Sequence, residues 1–234
     1  FREGVYLMAN NELEKSIFEK INIIWMIWLV FLLYAILIPN LFLPADNGFS
    51  RDVILATFTL NLNLVDPSIF MIFSLLGVLP LMCASIILFD NNQKLPSWPF
   101  LLASLGTGVI GLLPYLALRN HNLNDYKEKN NTLRFLFKSK IYVFFISIIT
   151  VPLLYYGLIN GDLSVYFEYW KINPLVHVMT IDFVIFYLLL NFLIYQELKV
   201  FNFQKRTRYL FLLPMIGFIL YFYMRIDFKL DNLD

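Results

Sequence analysis

Long apolar stretches separated by short polar ones dominate this chain, and their lengths set its reading. Six of them, Ile21–Ile38, Ser68–Phe89, Trp98–Leu118, Ile141–Ile159, Leu175–Tyr195 and Tyr209–Met224, approach the roughly 20 residues a helix needs to cross a bilayer. Only Leu175–Tyr195 holds a charged residue, Asp182. A lone segment in lipid must satisfy its own backbone, and helix is the form that does so. Pro80, Pro114, Pro152 and Pro214 fall inside these stretches or near their ends, where membrane helices accept proline as a kink. Trp25, Trp28, Trp98, Tyr169 and Trp170 fall near the expected interfaces as an aromatic belt. The pattern predicts an all-α, polytopic transmembrane helical bundle forming one domain over residues 21–225. An amphipathic N-terminal arm (1–20) precedes it and a polar tail (226–234) follows.

Val53–Val65 is apolar too, but only 13 residues long, and Asp66-Pro67 closes it. The residue before a proline is steered away from helix. That length suits a short re-entrant or interfacial piece near 53–66 that packs against the bundle and turns Asn61 or Asn63 inward. The expectation is therefore six spans, or seven if this segment also crosses. Gly161–Asn173, with Tyr166, Phe167, Tyr169 and Trp170, reads as an amphipathic interfacial stretch.

Composition agrees with a membrane setting: 59% of residues are hydrophobic, 15% are charged, and mean hydropathy is +0.68. Soluble domains carry about 25% charged residues. A net charge of +1 gives no case for nucleic acid. Cys83 is the only cysteine, which excludes a disulfide within the chain and the cysteine spacings of zinc or haem attachment. Lys and Arg are unevenly placed. Residues 119–140 and 197–208 together hold ten, whereas 90–97 and 160–174 hold only Lys94 and Lys171. The first pair of loops is expected on the cytoplasmic or stromal side, and the second pair opposite.

Asp182 is the strongest candidate for a functional interior. A carboxylate at that depth costs several kcal/mol unless it is paired, hydrated or protonated. It is expected to point into the bundle, and the structural alternative to function is a bond to Asn61, Asn63, Asn191 or a tyrosine. His177 lies five residues earlier, about 140° away around the helix, so the two are not expected to touch. One imidazole suffices as an axial ligand to a tetrapyrrole, and backbone bonding is the alternative. Asp66, Asn61 and Asn63 form a second ligand-binding candidate, although Asp before Pro is also an ordinary helix N-cap. No metal cluster is expected. Gly106-Thr107-Gly108-Val109-Ile110-Gly111 matches a dinucleotide fingerprint, but that fingerprint needs a strand before it. Inside an apolar span, Ser104, Thr107, Gly108 and Gly111 are expected to serve helix packing instead.

Three stretches resemble an uncharacterised family of multi-span membrane proteins of cyanobacteria and chloroplasts. They are Ile54–Asn61 running on through Val65-Asp66-Pro67; Leu95–Phe100 with Gly111–Arg119; and His177–Phe183. The resemblance implies a thylakoid or cyanobacterial membrane and carries no catalytic residues. It makes a non-catalytic accessory or assembly protein the expectation, with chlorophyll, carotenoid or lipid between its helices and a photosynthetic membrane complex as partner. The alternatives are a membrane-embedded lipid or isoprenoid enzyme, and a small transporter, using Asp182 with His177 or Asp66.

Overall fold

A computed structural model describes residues 23–88, 93, 95–119, 137, 139–200 and 215–231. The arm at 1–20, residues 209–214 of the sixth expected span and the end of the tail lie outside them. Among the described residues every regular element is a helix. Among these residues four helices are long and apolar enough to cross a membrane: α1 (Ile23–Phe42), α3 (Pro67–Ile87), α6 (Lys140–Asn160) and α8 (Pro174–Val200). Shorter ones are α2 (Phe49–Thr59), α4 (Trp98–Thr107), α5 (Val109–Leu118), α7 (Leu163–Ile172) and α9 (Ile216–Asp231). α9 runs past Met224, so the expected polar tail begins inside a helix.

The central helix is α3, the most buried of the long four. It lies antiparallel to α6, and glycines set the closeness of that packing. A Cβ on Gly157 would stand 2.4 Å from the Met71 Cβ, and one on Gly161 would stand 2.7 Å from the Ser68 backbone nitrogen. Small residues let helices associate through van der Waals contact where burial from water offers no drive. Large apolar side chains also cover the outside, among them Met26, Val30 and Ile36 on α1 and Phe145, Ile148 and Leu158 on α6. Patches that continuous are rare on soluble monomers.

The expected span Trp98–Leu118 is not one helix. It breaks at Gly108, whose φ of 62° and ψ of −144° end α4 and begin α5. The two halves fold back on each other. Phe100 and Tyr115 have ring centroids 5.6 Å apart, whereas an unbroken helix would separate those positions by about 22 Å. Nearer the turn, a Cβ on Gly111 would lie 2.7 Å from the Ser104 nitrogen. Each ten-residue half is about 15 Å long, half of a hydrocarbon core about 30 Å thick. The chain therefore enters the bundle and leaves by the same end, so that among the described residues the expected spans are four long helices, this helical hairpin and the shorter α9. Ser104, Thr107 and Gly111 meet across this hairpin and not along one helix face, while Gly108 forms its turn. Pro114 leaves the Ile110 carbonyl without its helical donor, and the Trp28 indole N–H supplies one at 3.0 Å. Trp28 thus ties α1 to α5 instead of serving only as a belt residue.

This hairpin revises the sidedness expected for 90–97. Leu88 and Trp98 line one groove, Arg119 donates to Gln196 near the end of α8, and Arg225 donates to the Ser85 carbonyl. The ends of α3, α5, α8 and α9 and the start of α4 therefore share one end of the bundle, so the connections that follow α3 and α5 begin at the same end and not at opposite ends. The opposite end is closed by α2 and α7. Phe49 stacks on Tyr169 at 4.0 Å, and Asn173 donates to Asp46. α7 is the amphipathic helix expected over Gly161–Asn173, with Tyr166 buried and Phe167 exposed.

Candidate functional site

The hairpin tip carries the chemistry of the interior. Asp182, a third of the way along α8 and 7% exposed, accepts the Val109 N–H through Oδ1 at 2.8 Å. The first N–H groups of any helix lack intrahelical partners, and a helix N-terminus attracts negative charge. Asp182 serves both needs of α5 from another helix. Its other oxygen lies where Gly108 would carry a side chain, because a Cβ there would stand 1.6 Å from Asp182 Oδ2. Asp182 thus points inward as expected, but its partner is a backbone amide and none of Asn61, Asn63, Asn191 or tyrosine. The residues of the dinucleotide-like string include this partner, which no pattern along a single helix would reveal.

His177 belongs to a separate group between α1, α7 and α8. Its ring stacks on Trp170 at 4.9 Å and on Tyr34 at 5.9 Å. Nδ1 lies 2.8 Å from the Trp170 carbonyl, and Nε2 is hydrogen-bonded to the Tyr34 hydroxyl. A carbonyl only accepts, so Nδ1 carries the proton, and in the neutral ring Nε2 accepts from the phenol. Both nitrogens are engaged, and an axial ligand role would require displacing Tyr34. His177 and Asp182 have different partners, as their angular separation predicts. Beside this group the Tyr166 hydroxyl bonds Thr180 at 2.6 Å. Burial raises the Tyr166 hydroxyl above the usual phenol range, and the Thr180 bond partly offsets the rise.

Asp66 is a helix cap. It accepts from the Ser68 N–H at 2.8 Å and from the Ser68 hydroxyl, and the Asp162 N–H lies 3.3 Å away. α2 does pack inward through Val53 and Ala56, but Asn61 and Asn63 are exposed. The segment therefore does not bring these two residues into a pocket with Asp182. The reason is local: Leu60, in left-handed conformation, ends α2 and turns the following residues outward.

The sequence pattern did not single out a buried ion pair at the hairpin-entry end. Arg225 Nη1 lies 3.0 Å from Glu197 Oε2, the Tyr221 hydroxyl donates to the same oxygen at 2.8 Å, and the guanidinium sits over the Phe222 ring. Glu197 and Arg225 lie just past the apolar limits Tyr195 and Met224, so both look like loop charges. Their signal is an oppositely charged pair at matching ends of two apolar stretches.

A second groove between helices is larger. With about 500 Å³, it runs between α1, α5 and α8, lined by Ile24, Ile27, Leu113, Leu188, Leu189 and Phe192 among others, all apolar. Ligand sites commonly span about 300–1,000 Å³. No group of His, Cys, Asp and Glu among the described residues is arranged to hold a metal ion. Comparison with protein-family profiles, curated proteins and solved structures found no match.

Proposed function

We propose that this is a non-catalytic integral membrane accessory or assembly protein that holds one apolar chain, acyl or polyene, in the groove between α1, α5 and α8. The observation that carries the proposal is the contrast between that groove and the polar interior. Asp182, His177, Asp66 and Glu197 are each engaged with neighbouring helices or turns, while the groove has the volume of a ligand site and an apolar lining. A photosynthetic membrane, with a pigment-bearing complex as partner, is the setting the family resemblance suggests. Purification in mild detergent, followed by solvent extraction, absorbance and lipid mass spectrometry, tests the reading. One lipid or pigment per chain is expected, reduced by Leu188→Trp, which fills the groove from its exposed side. Equal recovery from the wild type and from Leu188→Trp would overturn it.

A small transporter is the second reading, favoured by one observation. Interrupted helices meeting a carboxylate deep in the bundle are how many transporters build a binding site, and Gly108 and Asp182 make such a meeting. Here Asp182→Asn would abolish solute flux into proteoliposomes while leaving the fold intact. In the accessory reading the same variant changes little.

A further inference from the structure

A charged residue lies one helical turn beyond one end of the apolar groove, and it narrows the class of ligand. Phe192 lines the groove, and Gln196 follows it one turn later on the same face of α8. Gln196 accepts from Arg119 Nη1 at 3.4 Å. Arg119 directly follows α5, the helix that contributes Leu113 to the groove, and is itself buried. A guanidinium keeps its charge in any protein setting, and its planar fork suits phosphate. Among the described residues, this end of the bundle carries Arg119, Lys140 and Arg225 against Glu197. The opposite end, built from α2 and α7, carries Arg51 and Lys171 against Asp46, Asp52, Asp66, Asp162 and Glu168. The potential along the bundle is therefore positive where the groove approaches Arg119 and negative at the far end.

We infer that the chain in the groove belongs to an anionic membrane lipid whose headgroup sits at the Arg119 end. The inference rests on the reading of the groove as a tail site and adds the headgroup to it. An acyl chain lying along Leu188, Leu189 and Phe192 brings its glycerol to the level of Gln196, and a phosphate there meets a fixed cation. A zwitterionic headgroup gains the same tail burial but brings its own ammonium beside Arg119. One basic residue near a membrane surface favours an anionic lipid by roughly fivefold.

The test uses the full chain, delipidated in mild detergent and titrated with phosphatidylglycerol or phosphatidylcholine of identical acyl chains, with binding read by native mass spectrometry. The wild type should prefer phosphatidylglycerol about fivefold, and the preference should shrink with added salt. Arg119→Gln should bind the two lipids alike, Arg119→Lys should keep most of the preference, and Leu188→Trp should weaken both lipids together. Equal binding by the wild type overturns the anionic headgroup and leaves the tail site standing. No binding of either lipid, with Leu188→Trp indistinguishable from the wild type, overturns both. If Arg119→Gln does not fold, the wild-type preference and its salt dependence decide the matter.

Discussion

Gly108→Ala is the smallest change that attacks the hairpin tip, and its cost can be worked from two features. Gly108 has φ 62° and ψ −144°, a region nearly reserved for glycine, where a side chain costs about 1–3 kcal/mol. The added methyl would also stand 1.6 Å from Asp182 Oδ2 and 2.4 Å from its Cγ, so the carboxyl must leave. Its departure strands the Val109 N–H, a buried donor whose loss of partner costs about 1–3 kcal/mol. Together the two terms put Gly108→Ala at about 4 kcal/mol. Asp182→Ala alone removes only the acceptor and should cost about 1–3 kcal/mol. Asp182→Asn keeps an acceptor oxygen and should cost less. The double variant Gly108→Ala/Asp182→Ala is the discriminating one. With the carboxyl gone the methyl has room, so the double variant should be no less stable than Gly108→Ala. Contacting residues couple in this way and distant ones do not. Unfolding midpoints of the wild type and the four variants in mixed micelles of increasing SDS fraction measure these differences. A Gly108→Ala protein within about 0.5 kcal/mol of the wild type, or a double variant at the sum of the singles, would refute the contact of Asp182 with Gly108 and Val109.

Trp28→Phe should cost about 1–3 kcal/mol by stranding the Ile110 carbonyl, and Pro114→Ala should recover much of that loss by restoring the helical donor. A full loss persisting in the double variant argues against the bond. Breaking the buried pair with Glu197→Ala should cost about 3–5 kcal/mol, whereas Glu197→Leu with Arg225→Met should fall well short of that; both are read by the same SDS titration. With Cys83→Ala as background, cysteines at Leu95 and Lys140 should react with an impermeant maleimide from one face of the membrane, and a cysteine at Leu163 from the other. Labelling of Leu95 and Lys140 from opposite faces would mean that 98–118 crosses.

Much of the architecture was legible in one dimension. Length and unbroken apolarity predicted α1, α3, α6 and α8, because a segment that must bond its own backbone in lipid has few other forms. For Asp66 the sequence left two readings open, ligand binding and a helix cap, and the cap is the one that forms. The five-residue spacing of His177 and Asp182 correctly kept them apart, since periodicity around a helix is a local property. The fate of 98–118 was not legible, because an apolar run is equally compatible with one long helix and with two short ones folded back. That choice rests on Gly108 meeting Asp182 about seventy residues away, a contact that satisfies an amide no straight helix would have left open. The same long-range pairing makes 98–118 a hairpin whose two flanks lie at one end of the bundle, whereas the short segment near 53–66 packs as α2 at the other end. The Glu197–Arg225 pair escaped notice for the same reason: each partner looks like an ordinary boundary charge until α9 packs beside α8. Local pattern determined which segments are helices. Tertiary structure decided which polar groups meet, because that depends on distances across helices that no periodicity encodes.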